Sequence, residues 1–256
     1  MSDGLRVEHV DGVCLLTIDR PESKNAMHAP LRRALRVAFT DADADDAVRV
    51  VVLTAVDPVF SAGVDFKLIE RGADNAAGAD DNPAATMRAL RTPVICAVNG
   101  ACVSGALEVA LSASFIVASE RARFADTHAR LGVVPTWGLT ALLPRAIGVR
   151  AAREMSVTGA FVGADEALRL GLVNHLVAHD DLLSYALQLA GVVAATPAVG
   201  DMLELYRGGE DLSLAEALAA EAAFSVGRSY DLGAFTEAGR AASARQRGDG
   251  GEGSPA

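Results

Sequence analysis

The chain has 256 residues, 51% of them hydrophobic and 22% charged, which suits one sizeable globular unit with a smaller appendage and excludes a disordered or fibrous chain. Its net charge is −10 and no cluster of Lys and Arg is dense enough to track phosphates, which excludes nucleic acid as a partner; an anionic ligand must be held by local cations and helix N-termini. Aromatics make up only 5% while alanine is abundant, so helices packed through small aliphatic residues should outweigh strands.

Residues 5–10 and 13–20 are β-rich runs joined by Asp11-Gly12, the pair expected of a tight hairpin. Pro30 sits where a first helical turn tolerates it, and Leu31, Leu35, Ala38 and Phe39 recur at helical spacing up to the Asp-rich stretch 41–46. A strand over 48–56 follows, then a short helix over 65–71 and a polar Gly/Ala/Asp loop over 72–82. A helix closing at 87–91 precedes Pro93, and 94–99 is a continuous apolar run of the kind that a sheet buried on both faces needs. Gly100 breaks it. Residues 104–112 predict a helix with Ser104 as N-cap, and 115–118 a strand, so the strand–loop–helix unit around 48–71 recurs.

From Leu139 onward the pattern is helical, over 139–147, 150–158, 164–170, 182–194, 198–206, 214–226 and 232–244. The longest uncharged run, 182–200, contains Ser184, Tyr185, Gln188, Gly191, Thr196 and Pro197, and reads as a buried helix ended by Pro197 rather than a membrane span. The expected organisation is a core over 1–196, a helical region over 197–244 and a disordered Gly-rich tail over 245–256. Cys14, Cys96 and Cys102 lie in apolar surroundings at spacings that fit neither a zinc site nor a disulfide framework, and the N-terminus lacks a basic stretch followed by an apolar one. The expectation is a cytoplasmic protein without a metal.

Two junctions between strand and helix carry the chemistry: Phe60-Ser61-Ala62-Gly63-Val64-Asp65, and the segment from Asn99 to Ala110 containing Ser104-Gly105-Ala106-Leu107-Glu108. Each leaves unpaired N–H groups at the start of a helix, where small residues let a ligand approach the backbone. Together, in this order, they resemble the enoyl-CoA hydratase/isomerase, or crotonase, family. Arg20-Pro21-Glu22-Ser23-Lys24-Asn25-Ala26 looks like its early CoA-binding segment, and Phe124, Gly132, Pro135, Gly138 and residues 144–148 extend the likeness.

The resemblance implies an α/β spiral of ββα turns followed by C-terminal helices that form homotrimers, often paired into hexamers. It implies that Ala62 and Gly105 supply two N–H donors to a thioester oxygen. Lys24 and Ala26, with Ala62, Gly63, Val64, Asp65 and Phe66, would line the CoA channel. No cofactor is implied, CoA being part of the substrate. Donors fixed where charge develops lower a barrier by several kcal/mol, to an order of about 3 each.

Two departures bear on the reaction. The family's second signature usually carries three glycines, where this chain has Ser104-Gly105-Ala106 and keeps the middle one. Glu108 follows Gly105 by three residues, on the same helix face, and a carboxylate beside such donors is a good general base. Hydrating members pair two glutamates, and the second falls at His128, in Phe124-Ala125-Asp126-Thr127-His128. A histidine can relay a proton near neutral pH, or it can be structural there. Asp126 could orient His128 or occupy the vacant acid role, although residues two apart face each other poorly in a helix. Asp65 reads as a cap for the next helix, and Trp137, the single tryptophan, either walls the acyl pocket or is plain packing.

The function expected is hydration of 2-enoyl-CoA. The alternatives are an enoyl-CoA isomerase, which needs one base rather than two, and an acyl-CoA-binding protein that has lost efficient catalysis with half of its acid–base pair.

Overall fold

In the computed structural model the chain is described over residues 3–72 and 81–226, without the side chain of residue 69. The expected helix over 232–244, the tail over 245–256 and most of the 72–82 loop lie outside the described residues. Asp11 and Gly12 both take positive φ and reverse the chain between β1 (Leu5–Val10) and β2 (Val13–Ile18), which pair antiparallel. Helix α1 (Ala29–Ala44) then carries the chain back to β3 (Val50–Ala55), which pairs parallel with β2.

From β3 onward the chain repeats one operation. A strand joins a six-stranded sheet, a short strand joins a second sheet, and a helix follows. The first turn is β3, β4 (Val59–Ser61), α2 (Phe66–Glu70) and α3 (Pro83–Ala89). The second is β5 (Val94–Val98), β6 (Ala101–Val103) and α4 (Gly105–Leu111). The third is β7 (Phe115–Ser119), β8 (Arg123–Ala125), α5 (Leu139–Ile147) and α6 (Val149–Thr158). After β9 (Val162–Gly163) and α7 (Ala164–Leu170), β10 (His175–Val177) completes the large sheet in the order β1-β2-β3-β5-β7-β10. The second sheet runs β4-β6-β8-β9.

This is the spiral of ββα turns that the resemblance implies. The sequence pattern reads loops where β4, β6 and β8 stand, because three residues show too little alternation to register as a strand. The consequence is large, since these short strands aim the functional loops.

The six-stranded sheet is covered on both faces, and every residue of β3 and β5 is buried, as the apolar runs predict. One face presents Val50, Val52, Ile95 and Val117 to Leu182, Ala186 and Ala190 of α8 (Leu182–Ala194), whose small residues allow close approach. The opposite face packs Leu53, Cys96 and Val98 into the larger core with Leu31, Leu35, Phe39 and Leu107. The three cysteines are free and buried, and burial pushes the thiols of Cys14 and Cys96 up to about 11 and about 12. They are not nucleophiles near neutral pH. No single helix among the described residues is long and apolar enough to cross a membrane.

The chain divides into one unit over Met1–Leu203 and another over Glu204–Ala256. Helix α9 (Val199–Gly209) spans that division. In the second unit α10 (Leu214–Ser225) starts at a capping box, Ser213 accepting from the Glu216 N–H while the Glu216 carboxylate takes the Ser213 N–H.

The strap after β2 is tied down by one side chain. Asn25 is fully buried at φ 53°, its amide donates to the Val56 and Val59 carbonyls at 2.7 Å each, and its carbonyl accepts from Arg20 N–H at 2.8 Å. Asn tolerates that left-handed backbone better than most residues. Asn25→Ala removes all three bonds and is expected to lower unfolding free energy by about 1–3 kcal/mol in urea denaturation; a change under about 0.5 kcal/mol, the scale of an ordinary surface substitution, contradicts this role.

Candidate active site

Parallel pairing of β4 with β6, Val59 opposite Ala101 and Ser61 opposite Cys102, sets the ends of the two strands side by side. The loops that leave them therefore meet. Gly63 has φ +89°, and a methyl group there would come within 2.7 Å of the Val103 carbonyl oxygen and 3.2 Å of the Gly105 nitrogen. A methyl group on Gly105 would lie 3.2 Å from the Val64 side chain, 3.3 Å from the Trp137 ring and 3.5 Å from the Val64 nitrogen. Glycine at both positions is what lets the two backbones approach.

The amides of the first loop are mostly committed. Ala62 N–H donates to the Lys24 carbonyl at 3.0 Å, Gly63 N–H to Ser61 Oγ at 3.1 Å and Asp65 N–H to the Met27 carbonyl at 3.3 Å. Val64 N–H has no acceptor among the described residues, and neither does Gly105 N–H at the first position of α4. The expectation that Ala62 is the first donor is corrected on this geometry: its amide holds the strap, and the open amide facing Gly105 belongs to Val64.

The CoA-channel residues expected from the sequence come together through that strap. Met27 N–H donates to the Gly63 carbonyl at 2.7 Å, so Lys24, which is exposed, and Ala26, which is buried, run alongside 62–66 up to Phe66 at the start of α2. The Arg20 guanidinium donates to the Ala26 carbonyl and pairs with Asp65 at 3.5 Å. Arg20 and Asn25 thus hold the segment expected to line the channel, which reading the motif as a string does not reveal.

Glu108 and His128, far apart in sequence, face each other. Glu108 is 2% exposed, and its Oε1 accepts from the N–H groups of Trp137 at 2.6 Å and Leu139 at 3.3 Å. Its Oε2 lies 3.7 Å from His128 Nε2. Burial raises the Glu108 pKa above the ordinary carboxylate value, and the two N–H donors and His128 offset only part of that rise. Trp137 is buried with its ring against Gly105, and its carbonyl takes a 2.8 Å bond from Arg88 in α3.

Ser104 stands at the N-cap of α4, as expected, but does not cap the helix with its side chain. It sits at φ 50° and ψ −111°, a region that costs a non-glycine residue on the order of 1–3 kcal/mol. Its N–H donates to the Ala125 carbonyl at 2.9 Å, and its Oγ accepts from Thr127 N–H at 2.9 Å and meets Thr127 Oγ1 at 2.7 Å. The hydroxyl that replaces a glycine hydrogen therefore clamps the segment bearing His128. Among the described residues no three His, Cys, Asp or Glu side chains converge as a metal site.

The description enoyl-CoA hydratase/isomerase matches residues 8–226 of the chain. A probable enoyl-CoA hydratase of Rhizobium meliloti is 39% identical over 219 residues, 84% of this chain and 85% of that one. A carnitinyl-CoA dehydratase of Salmonella paratyphi A is 36% identical over 224 residues, covering 84% and 85%. The crystal structure of enoyl-CoA hydratase from Mycobacterium smegmatis superposes with a TM-score of 0.73 at 44% identity, over 86% of this chain and 94% of that one.

The raised proton affinity of Glu108 is directly measurable. Infrared difference spectra of the chain against Glu108→Gln, followed through acid pH, should show a carboxylic acid band titrating with a midpoint above that of an exposed glutamate. A midpoint at or below the exposed value contradicts the dominance of burial.

Proposed function

The chain belongs to the enoyl-CoA hydratase/isomerase family, and on that premise we propose that it adds water across the double bond of 2-enoyl-CoA thioesters. The observation that carries this reading is that two open amides, Val64 and Gly105, are linked through Trp137 to a buried carboxylate that faces a histidine. The thioester oxygen accepts from both amides, which stabilise the enolate charge as it develops. The Glu108 carboxylate takes a proton from water, whose oxygen bonds to the β-carbon, and the electron pair of the double bond moves toward the thioester. His128 Nε2 gives its proton to the α-carbon, closing a 3-hydroxyacyl-CoA. The proton on Glu108 then returns to His128 by way of solvent, their 3.7 Å separation being longer than a direct hydrogen bond, and both groups are restored.

The reading extends to the rest of the chain. Lys24, Ala26 and 62–66 line the CoA channel, and Trp137 walls the acyl end, with no cofactor beyond the CoA that the substrate carries. Residues 1–196 act as the catalytic core and 197–244 assemble a homotrimer or hexamer in the cytoplasm; the exposed Leu214 and Leu218 of α10 support an assembling role.

Crotonyl-CoA and longer 2-enoyl-CoA esters should lose their conjugated absorbance when mixed with the protein. Glu108→Gln should lower kcat by ~10²–10⁴-fold with binding retained. Because the base works as a carboxylate and its pKa is raised, the wild-type rate should fall with falling pH at a higher pH than an exposed glutamate would give. Absence of hydration at every chain length, or a Glu108→Gln enzyme of normal rate, overturns the proposal.

A further inference from the structure

His128 stands between two carboxylates. Its Nε2 faces Glu108, and on the other side Nδ1 lies 2.6 Å from Asp126 Oδ1, which also accepts the His128 backbone N–H at 3.1 Å. The helical spacing that argued against this contact does not apply, because 126 and 127 lie outside any helix, between β8 and the 3-10 turn Ala129–Leu131. An Asp side chain reaching the amide two residues on is a local turn in its own right. Asp126 is 2% exposed, and although burial works against its charge, bonds from His128 and Ser156 hold its pKa below the ordinary value. It is therefore an acceptor only.

The geometry points to Asp126 as a positioning residue that keeps a proton on His128 Nδ1 both in the charged ring, whose Nε2–H goes to substrate, and in the neutral ring left behind, and so dedicates Nε2 to exchange. An ionised carboxylate at 2.6 Å can bond only to an N–H, so the ring has one orientation and one tautomer compatible with the contact. The adjoining Thr127, gripped by Ser104, holds the backbone from which both side chains extend. The set thus has the order carboxylate, imidazole, carboxylate, with the first contact a hydrogen bond and the second, at 3.7 Å, too long to be one. Orientation by a buried acid is how a histidine is kept in the productive tautomer in other proton-transfer sites. This inference rests on the proposed pairing of Glu108 with His128, and its main readout is independent of turnover.

The test is nitrogen–proton correlation NMR on the full chain labelled with ¹⁵N-histidine, with His128→Gln assigning the signal. Wild-type His128 should carry its proton on Nδ1; a neutral ring protonated on Nε2 alone overturns the inference without any variant. Asp126→Leu, which removes the acceptor, should abolish that Nδ1 preference and lower kcat on crotonyl-CoA by about 10²-fold, the lower end of an acid–base loss, with KM within about twofold. Asp126→Asn keeps an oxygen acceptor and should retain the Nδ1 proton and recover part of kcat. A fall in kcat with the tautomer unchanged in Asp126→Leu, or no fall in either, contradicts the positioning role. Failure of hydration in the wild type together with the expected Nδ1 proton counts against the proposed reaction and leaves the positioning of His128 standing.

Discussion

Two backbone amides without acceptors among the described residues, Val64 and Gly105, govern the rest of the site. An N–H left unbonded in a protein interior is costly, on the order of 1–3 kcal/mol, so its persistence at both Val64 and Gly105 requires that neighbouring structure hold it open. The pairing of β4 with β6 does this, and the two glycines remove the side chains that would fill the space between. The strap at 24–27 contributes from outside by taking the Ala62 and Asp65 amides and giving Met27 N–H to Gly63. Asn25 and Arg20 in turn hold the strap. Most polar bonds within this region have the effect of fixing where two N–H groups point.

The acid–base side follows from the same helix. Because Gly105 opens α4, Glu108 falls one turn along, with its carboxyl buried against the Trp137 and Leu139 amides. Burial alone would favour the neutral acid, and the Trp137 and Leu139 N–H groups moderate this, so the carboxyl is tuned between the two extremes. Arg88, by bonding the Trp137 carbonyl, holds the segment that supplies those donors and places an aromatic ring against Gly105. Binding wall and base are thus set by one loop.

Much of this was legible in the sequence and some was not, for reasons that can be assigned. The long buried strands and the spacing of Gly105 and Glu108 are local patterns, and they are read from local sequence. The choice of Val64 over Ala62 depends on carbonyls of the strap almost forty residues away, which no local pattern encodes. The short strands of the second sheet escape periodicity for want of length, and the role of Ser104 escapes it because its hydroxyl bonds Thr127 rather than its own helix. Helical spacing argues against an Asp126–His128 contact, whereas the segment is not helical. In each case a tertiary partner overrides the local rule.

Family membership supports an acyl-CoA substrate, and the residue that faces Glu108 in this chain is His128. The central claim is the location of the bound oxygen. A crystal structure of the protein with a bound acyl-CoA tests it most directly: the account predicts the thioester oxygen within hydrogen-bonding distance, about 2.7–3.2 Å, of both Val64 N and Gly105 N, with the acyl β-carbon facing Glu108. An oxygen bonded instead to Ala62 N, or a thioester lying away from Gly105, would contradict it.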